Sequence, residues 1–182
     1  MGMADSFTGR KTPEYQGGFL LDGGVHFIAG LRFLLAAAGQ EIKQLAGFSA
    51  LLDDRLIPVD TIHAVALTQD GRSGTIGISF ATEFKSGLEI EIVTTNGSVT
   101  WSPTSVKSKS RKADGSEGEE VEEKEFPYVS GVTAEVGAFA LAIEAGKVDA
   151  IQTPGEALKD LEILQRLLES GAGGAAIQNI GL

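Results

Sequence analysis

GGFLLDGGVHFIAGLRFLL, residues 17–35, decides how the rest of the chain is read. It sets an apolar run, a carboxylate at Asp22, two glycines and an imidazole at His26 ahead of a stretch with helical periodicity. Phe27, Ile28, Leu31, Leu34 and Leu35 recur at spacings of three and four, the pattern of a helix with one buried stripe. The spacing predicts an extended lead-in from Gly17 to Asp22, a Gly-Gly bend, and a helix from Val25 to Ala38 stopped by Gly39. Two readings of the polar pair stand side by side. In one, Asp22 caps the helix and His26 is a packing residue. In the other, carboxylate and imidazole meet beside the unpaired N–H groups of the helix start and form an acid–base pair. Arg32 is placed to reach a carboxylate.

Composition narrows the chemistry. The 182 residues fit one domain, or a large half of a two-domain protein. With no cysteine, disulfides, thiolate metal sites and a cysteine nucleophile are excluded. A net charge of -10 opposes binding to nucleic acid or to an anionic membrane. No apolar run approaches the roughly 20 residues that span a bilayer. The opening MGMADSFTGRK has no apolar leader segment, so a cytoplasmic location is expected. Two histidines would need scattered carboxylates to make a zinc site, and no metal is expected. His63 reads as a packed or edge residue of a strand, and Trp101 and Phe80 as core side chains.

Residues 1–16 are polar and read as irregular, while residues 17–171 read as a single α+β domain. After the first helix come strand candidates at Ile42–Leu52, Thr61–Thr68, Gly74–Ala81, Leu88–Thr95 and Ser98–Trp101. Asp70-Gly71 and Asn96-Gly97 mark two hairpin turns. Residues 107–125, KSKSRKADGSEGEEVEEKE, have a basic half and an acidic half and read as a solvated loop or hairpin tip with Val106 and Phe126 at its base. Two helices follow. Val132–Ala145 carries Val132, Val136, Phe139 and Ile143 on one side. Pro154–Ser170 opens with Thr153 as cap, Pro154 at its first position and Glu156 three residues past the cap, and buries Leu158, Leu161, Leu164 and Leu168. Residues 172–182 read as a flexible tail in which Ile177 and Ile180 dock. Segregated strands and helices give an open, largely antiparallel sheet with helices packed on one face. No GxGxxG or GxxxxGK[ST] phosphate loop occurs.

YQGGFLLDGGVHFIAGLRFLL, TIHAVALTQDGRSGTIGISFA, LEIEIVTTNGSVTW and TPGEALKDLEILQRLLESG together resemble the C-terminal domain of the Gfo/Idh/MocA oxidoreductases. RKTPEYQGGFLLDGGVHF is most similar to the fungal and other eukaryotic branch. The resemblance implies an open antiparallel sheet, one face of which forms a homo-oligomer, and a helix that lines the substrate cleft. It maps the family's proton-transfer Asp and His onto Asp22 and His26. A further Asp, three residues past the His in many bacterial relatives, is Ala29 here. The family's Rossmann domain, with its glycine-rich loop and EKP-type lysine, has no counterpart in these residues.

Three functional expectations follow. The first is a cofactor-independent cyclase, isomerase or lyase acting on a hydrophobic small molecule, as in a cyclisation step of fungal natural-product biosynthesis. Asp22 and His26 are its catalytic residues, and Tyr15, Gln16, Phe27 and Arg32 its substrate-binding residues. The second is the substrate half of a dehydrogenase that uses NAD(P) only when a Rossmann partner supplies it. The third is a non-catalytic binding or oligomerisation module.

Overall fold

The computed structural model describes residues 17–114, 116 and 118–181. The architecture is α+β, with antiparallel sheets and three helices. The chain divides into two compact units, with the breaks after Phe84 and after Asp149.

The first unit holds α1 (Gly18–Ala37), β1 (Ile42–Ala50), β2 (Thr61–Thr68), β3 (Ser73–Ser79), α3 (Pro154–Ala172) and β8 (Gln178–Asn179). Its strands run β3-β2-β1-β8, each antiparallel to its neighbour. Alternation along the strands sends Leu45, Ile62, Ala64, Ile76 and Ile78 to one face. There they join Leu20 and Ile28 of α1 and Ile163, Leu164 and Leu167 of α3 in one core. The other face turns Phe48, Val65 and Leu67 outward.

The helix α1 begins seven residues before the expected start and runs straight through Gly23-Gly24. Two interior glycines cost a helix about 1 kcal/mol each relative to alanine. Packing offsets that cost. A Cβ on Gly24 would lie 3.3 Å from Leu164 Cδ2, and one on Gly23 would lie 2.8 Å from Phe80 Cζ. The glycines let α1 approach α3 and the end of β3 closely. By length and composition alone α1 is also apolar enough to cross a bilayer, contrary to the sequence expectation. Leu20, Gly24 and Ile28 are instead buried in the core of this unit.

Thr153 caps α3 by accepting from the Glu156 N–H at 3.2 Å, with Pro154 in the first turn, as the sequence predicts. The buried stripe is rotated from the expected one. Leu158 and Leu161 are exposed, while Asp160, Ile163, Leu164, Leu167 and Leu168 are buried. Hydropathy alone could not place Asp160 inside; its ion pair with Arg32 does. Beyond α3 the chain turns back onto the sheet. Gly174 and Ala175 take left-handed conformations that reverse the chain, Gln178 and Asn179 pair with β1, and the Ile180 N–H donates to the Lys43 carbonyl at 2.9 Å. Ile180 packs on the core and Ile177 is exposed.

The second unit is a meander of β4 (Ile90–Thr94), β5 (Gly97–Ser102), β6 (Ser105–Arg111) and β7 (Glu119–Glu125), with α2 (Val132–Ala145) after it. Within the charged run, β6 and β7 pair antiparallel and in register. Lys107 lies opposite Glu123, with an ion pair at 3.3 Å, and Arg111 lies opposite Glu119. At its base Val106 pairs with Lys124 rather than Phe126, whose N–H donates to the Thr104 carbonyl. The β4–β5 turn falls on Thr95-Asn96, because Gly97 already pairs with Thr94 and Ser110. The expected stripe of α2, Val132, Val136, Phe139 and Ile143, is exposed.

Candidate functional site

The outward face of α1 carries the candidate pair. Asp22 and His26 are both exposed and one helical turn apart. Residues four apart in a helix stack on one face with Cβ atoms about 5–6 Å apart. The helix N-terminus lies at Gly18, so Asp22 is an interior residue and not a cap, and the bend expected between the two side chains does not exist. The unpaired N–H groups of the helix start therefore lie a full turn away from Asp22. What the pair offers is a carboxylate and an imidazole side by side, both reachable by one polar group of a bound molecule.

One flank of this face is aromatic. Phe19, Gly23 and Phe27 follow each other at four-residue spacing, and the Phe80 ring, just past β3, lies against Gly23 between the two phenylalanines. It meets Phe19 edge-on, with centroids 4.8 Å apart, and stacks on Phe27 at 5.8 Å. All three rings are half-buried, and Phe27 and Phe80 border the core. Gly23 adjoins Asp22 in sequence and His26 across one turn, so the Phe80 ring sits beside the polar pair.

Arg32 occupies the other flank, about 100° per residue placing it well off the Asp22–His26 line. Its guanidinium is engaged in holding α1 to α3. It pairs with the Asp160 carboxylate, donates to Glu156 Oε2 at 2.7 Å and to the Glu156 backbone carbonyl at 3.1 Å. Burial opposes its charge, but the bonds to Asp160 and Glu156 outweigh this and hold its pKa above the ordinary arginine value. Glu156 is held below the ordinary glutamate range by Lys159 first and by Arg32 second. Its side chain is thereby drawn from the reciprocal capping bond that the sequence predicts to the Arg32–Lys159 cluster. Tyr15 and Gln16 lie outside the described residues.

Sequence reasoning missed Phe19 and Phe80. The signal was present as Phe19-x3-Gly23-x3-Phe27, legible once Gly23 is read as a point of close approach instead of a bend. It also missed Asp60, which is fully buried and accepts from the N–H groups of Leu52 and Asp53 at 2.9 and 2.8 Å and from the Thr61 hydroxyl at 2.8 Å. Asp60 pins the 51–60 loop and has a structural part. His63 is exposed on the outer sheet face, opposite Phe48 and Gly77. A shallow groove of about 240 Å³ lined by Glu41, Ile42, Lys43, Gln69, Ile180 and Gly181 includes none of the candidate residues. Among the described residues no three His, Asp or Glu side chains converge as a metal site.

An antiparallel sheet backed by helices makes the first unit an α+β architecture. The profile described as the oxidoreductase family C-terminal alpha/beta domain matches residues 4–178, and the chain belongs to that family. It is 55% identical over 163 residues to Dehydrogenase FPY6 of Fusarium mangiferae, covering 90% of this chain and 46% of that one. An oxidoreductase of Thermotoga maritima superposes with a TM-score of 0.75 at 26% identity, over 94% of this chain and 47% of that one. An inositol dehydrogenase homologue of Azotobacter vinelandii, solved with NADH and myo-inositol, has a TM-score of 0.62 at 16% identity over 88% of this chain and 50% of that one, a likeness of fold. The chain spans about half the length of each of these relatives.

Proposed function

We propose that this chain is the substrate-binding half of an oxidoreductase in which Asp22 and His26 handle the proton of a substrate hydroxyl. The observation that carries the reading is the pair itself, set on the exposed face of α1 in a chain 55% identical to part of a dehydrogenase. The imidazole takes or returns the hydroxyl proton, and the carboxylate orients the ring and stabilises its charged form. Oxidation of an alcohol also needs a hydride acceptor. The described residues offer no glycine-rich strand-to-helix turn and no parallel crossover to hold a dinucleotide. The part of this chain is therefore confined to the substrate side. The test joins it to a Rossmann domain of the same family and follows nicotinamide reduction over a panel of alcohols. His26→Gln is expected to lower turnover by roughly a hundredfold or more, the usual scale of acid–base catalysis. Equal rates with His26 and Asp22 both replaced would exclude the reading.

A second reading is favoured by the aromatic flank. Phe19, Phe27 and Phe80 beside a polarising pair suit a cofactor-independent cyclisation, isomerisation or elimination of an apolar molecule, where orientation alone supplies several kcal/mol. Conversion of a candidate substrate by the 182-residue chain without nicotinamide decides for it. In either case we propose self-association through the outer sheet face, where Phe48 and Val65 are 67% and 54% exposed.

A further inference from the structure

Resting on the reading that copies of this chain associate through the outer sheet face, we infer that His63 switches that association with pH: the neutral imidazole admits the second copy and the imidazolium expels it. The make-up of the face carries the inference. Strands β1, β2 and β3 hold only two ionisable residues, Lys43 and His63. Lys43 lies at the bulge that opens β1, where that strand pairs with Leu67 and Thr68 at the far end of β2 from His63. Asp60, ahead of β2, is buried and turned to the N–H groups of Leu52 and Asp53. Arg72, Asp53, Asp54, Arg55 and Glu83 lie in segments beyond the strand ends, and β8 brings only Gln178 and Asn179. Around the exposed His63 the face is neutral. Phe48 stands directly opposite on β1 and Gly77 on β3, and Val65, two residues on, shares the face. A Cβ on Gly77 would lie 3.3 Å from His63 Cδ2, so the imidazole leans over the bare backbone of β3. Charge also decides the occupant. Two copies that each carry a net charge of -10 repel wherever their carboxylates meet, and this sheet is a surface where they do not. A two-fold contact sets the same patch against itself, so each copy brings its His63 into it. Histidine is the side chain whose charge ordinarily changes between about pH 5 and 8. An imidazolium enclosed there finds no carboxylate among the described residues of either copy's face, and burial opposes an unpaired charge far more than a neutral ring.

The test follows mass against concentration by analytical ultracentrifugation of the full 182-residue chain. It is run at about pH 7.5 and about pH 5.5, above and below the ordinary histidine midpoint of about 6.5. The wild type is expected to associate at the higher pH, with a dissociation constant about tenfold or more larger at the lower. Acidification also lowers the net negative charge of -10, which alone would tighten association, so weakening in acid has a local cause. His63→Gln, neutral throughout, should associate alike at both pH values, and His63→Lys, charged throughout, should be weak at both. The exposed position lets both variants keep the circular dichroism of the wild type. A wild type indifferent to pH or tighter in acid, acid weakening that persists in His63→Gln, or strong association of His63→Lys overturns the switch and leaves self-association standing. A wild type monomeric at both pH values and every concentration overturns the association and the switch with it.

Discussion

Asp60 shows how one side chain can govern a loop. Its carboxylate is fully buried and accepts from two backbone N–H groups and a hydroxyl. Asp60→Ala leaves the Leu52 and Asp53 N–H groups without their acceptor, and unsatisfied buried donors cost about 1–3 kcal/mol each. A loss of about 2–4 kcal/mol in denaturant unfolding is expected. Gly171 is the opposite case, a residue defined by what it lacks. A Cβ there would lie 2.7 Å from Ser49 Cβ and 3.0 Å from its backbone nitrogen. Alanine gains helix propensity of about 1 kcal/mol, yet the contact is with a strand backbone that cannot step aside. Gly171→Ala should therefore destabilise by about 1–3 kcal/mol, the scale of overpacking, measured in the same way. Ala175, at a φ of 67°, reverses this logic: Ala175→Gly should stabilise by about 0.5–1 kcal/mol.

At the scale of elements, the Arg32 cluster sets how α1 lies on α3. Arg32→Ala leaves the buried carboxylate of Asp160 without its partner. Breaking a buried pair costs about 3–5 kcal/mol; with part of Arg32 still in solvent, a loss of about 2–3 kcal/mol is expected. Arg32→Lys keeps the charge but not the fork, and should recover only part of it. The cluster also carries a pH signature. Glu156 titrates below its ordinary value in the folded chain, so its contribution is present above the unfolded pKa and lost as pH falls through the folded one. Wild-type stability should thus fall more steeply than that of Arg32→Ala on acidification below the ordinary glutamate range. Asp53, lowered to about 2 by its bonds from Arg55, follows the same sign over the window from the ordinary aspartate value to about 2. These elements also mark what a sequence can convey. Strand β2 is legible to the residue because a run rich in β-forming side chains is a local signal. The start of α1 is not, because the reason two glycines stay helical lies in Leu164 and Phe80, far along the chain. The true face of α3 is hidden likewise: Asp160 is inside only because Arg32 is there to meet it. The Asp22–His26 pair was legible from spacing and resemblance, and its aromatic flank was not, since Phe80 joins it only through the fold.

At the scale of the whole molecule, the outer face of the first unit is the feature to probe. Phe48→Asp and Val65→Asp place charges on that face without touching the core. Both variants should run as smaller species in light scattering with unchanged circular dichroism; an unchanged mass would remove the sheet face as the route of association. The charged hairpin of the second unit has a different consequence. Strand β7 is the last of its sheet, and its sequence EEVEEKE puts five carboxylates and one ammonium along an open row of backbone donors and acceptors. Such an edge is a template for the next strand of a fibril, and at neutral pH the carboxylates repel any copy that approaches it. The storage life of concentrated solutions, and not turnover, is where this hairpin should make itself felt.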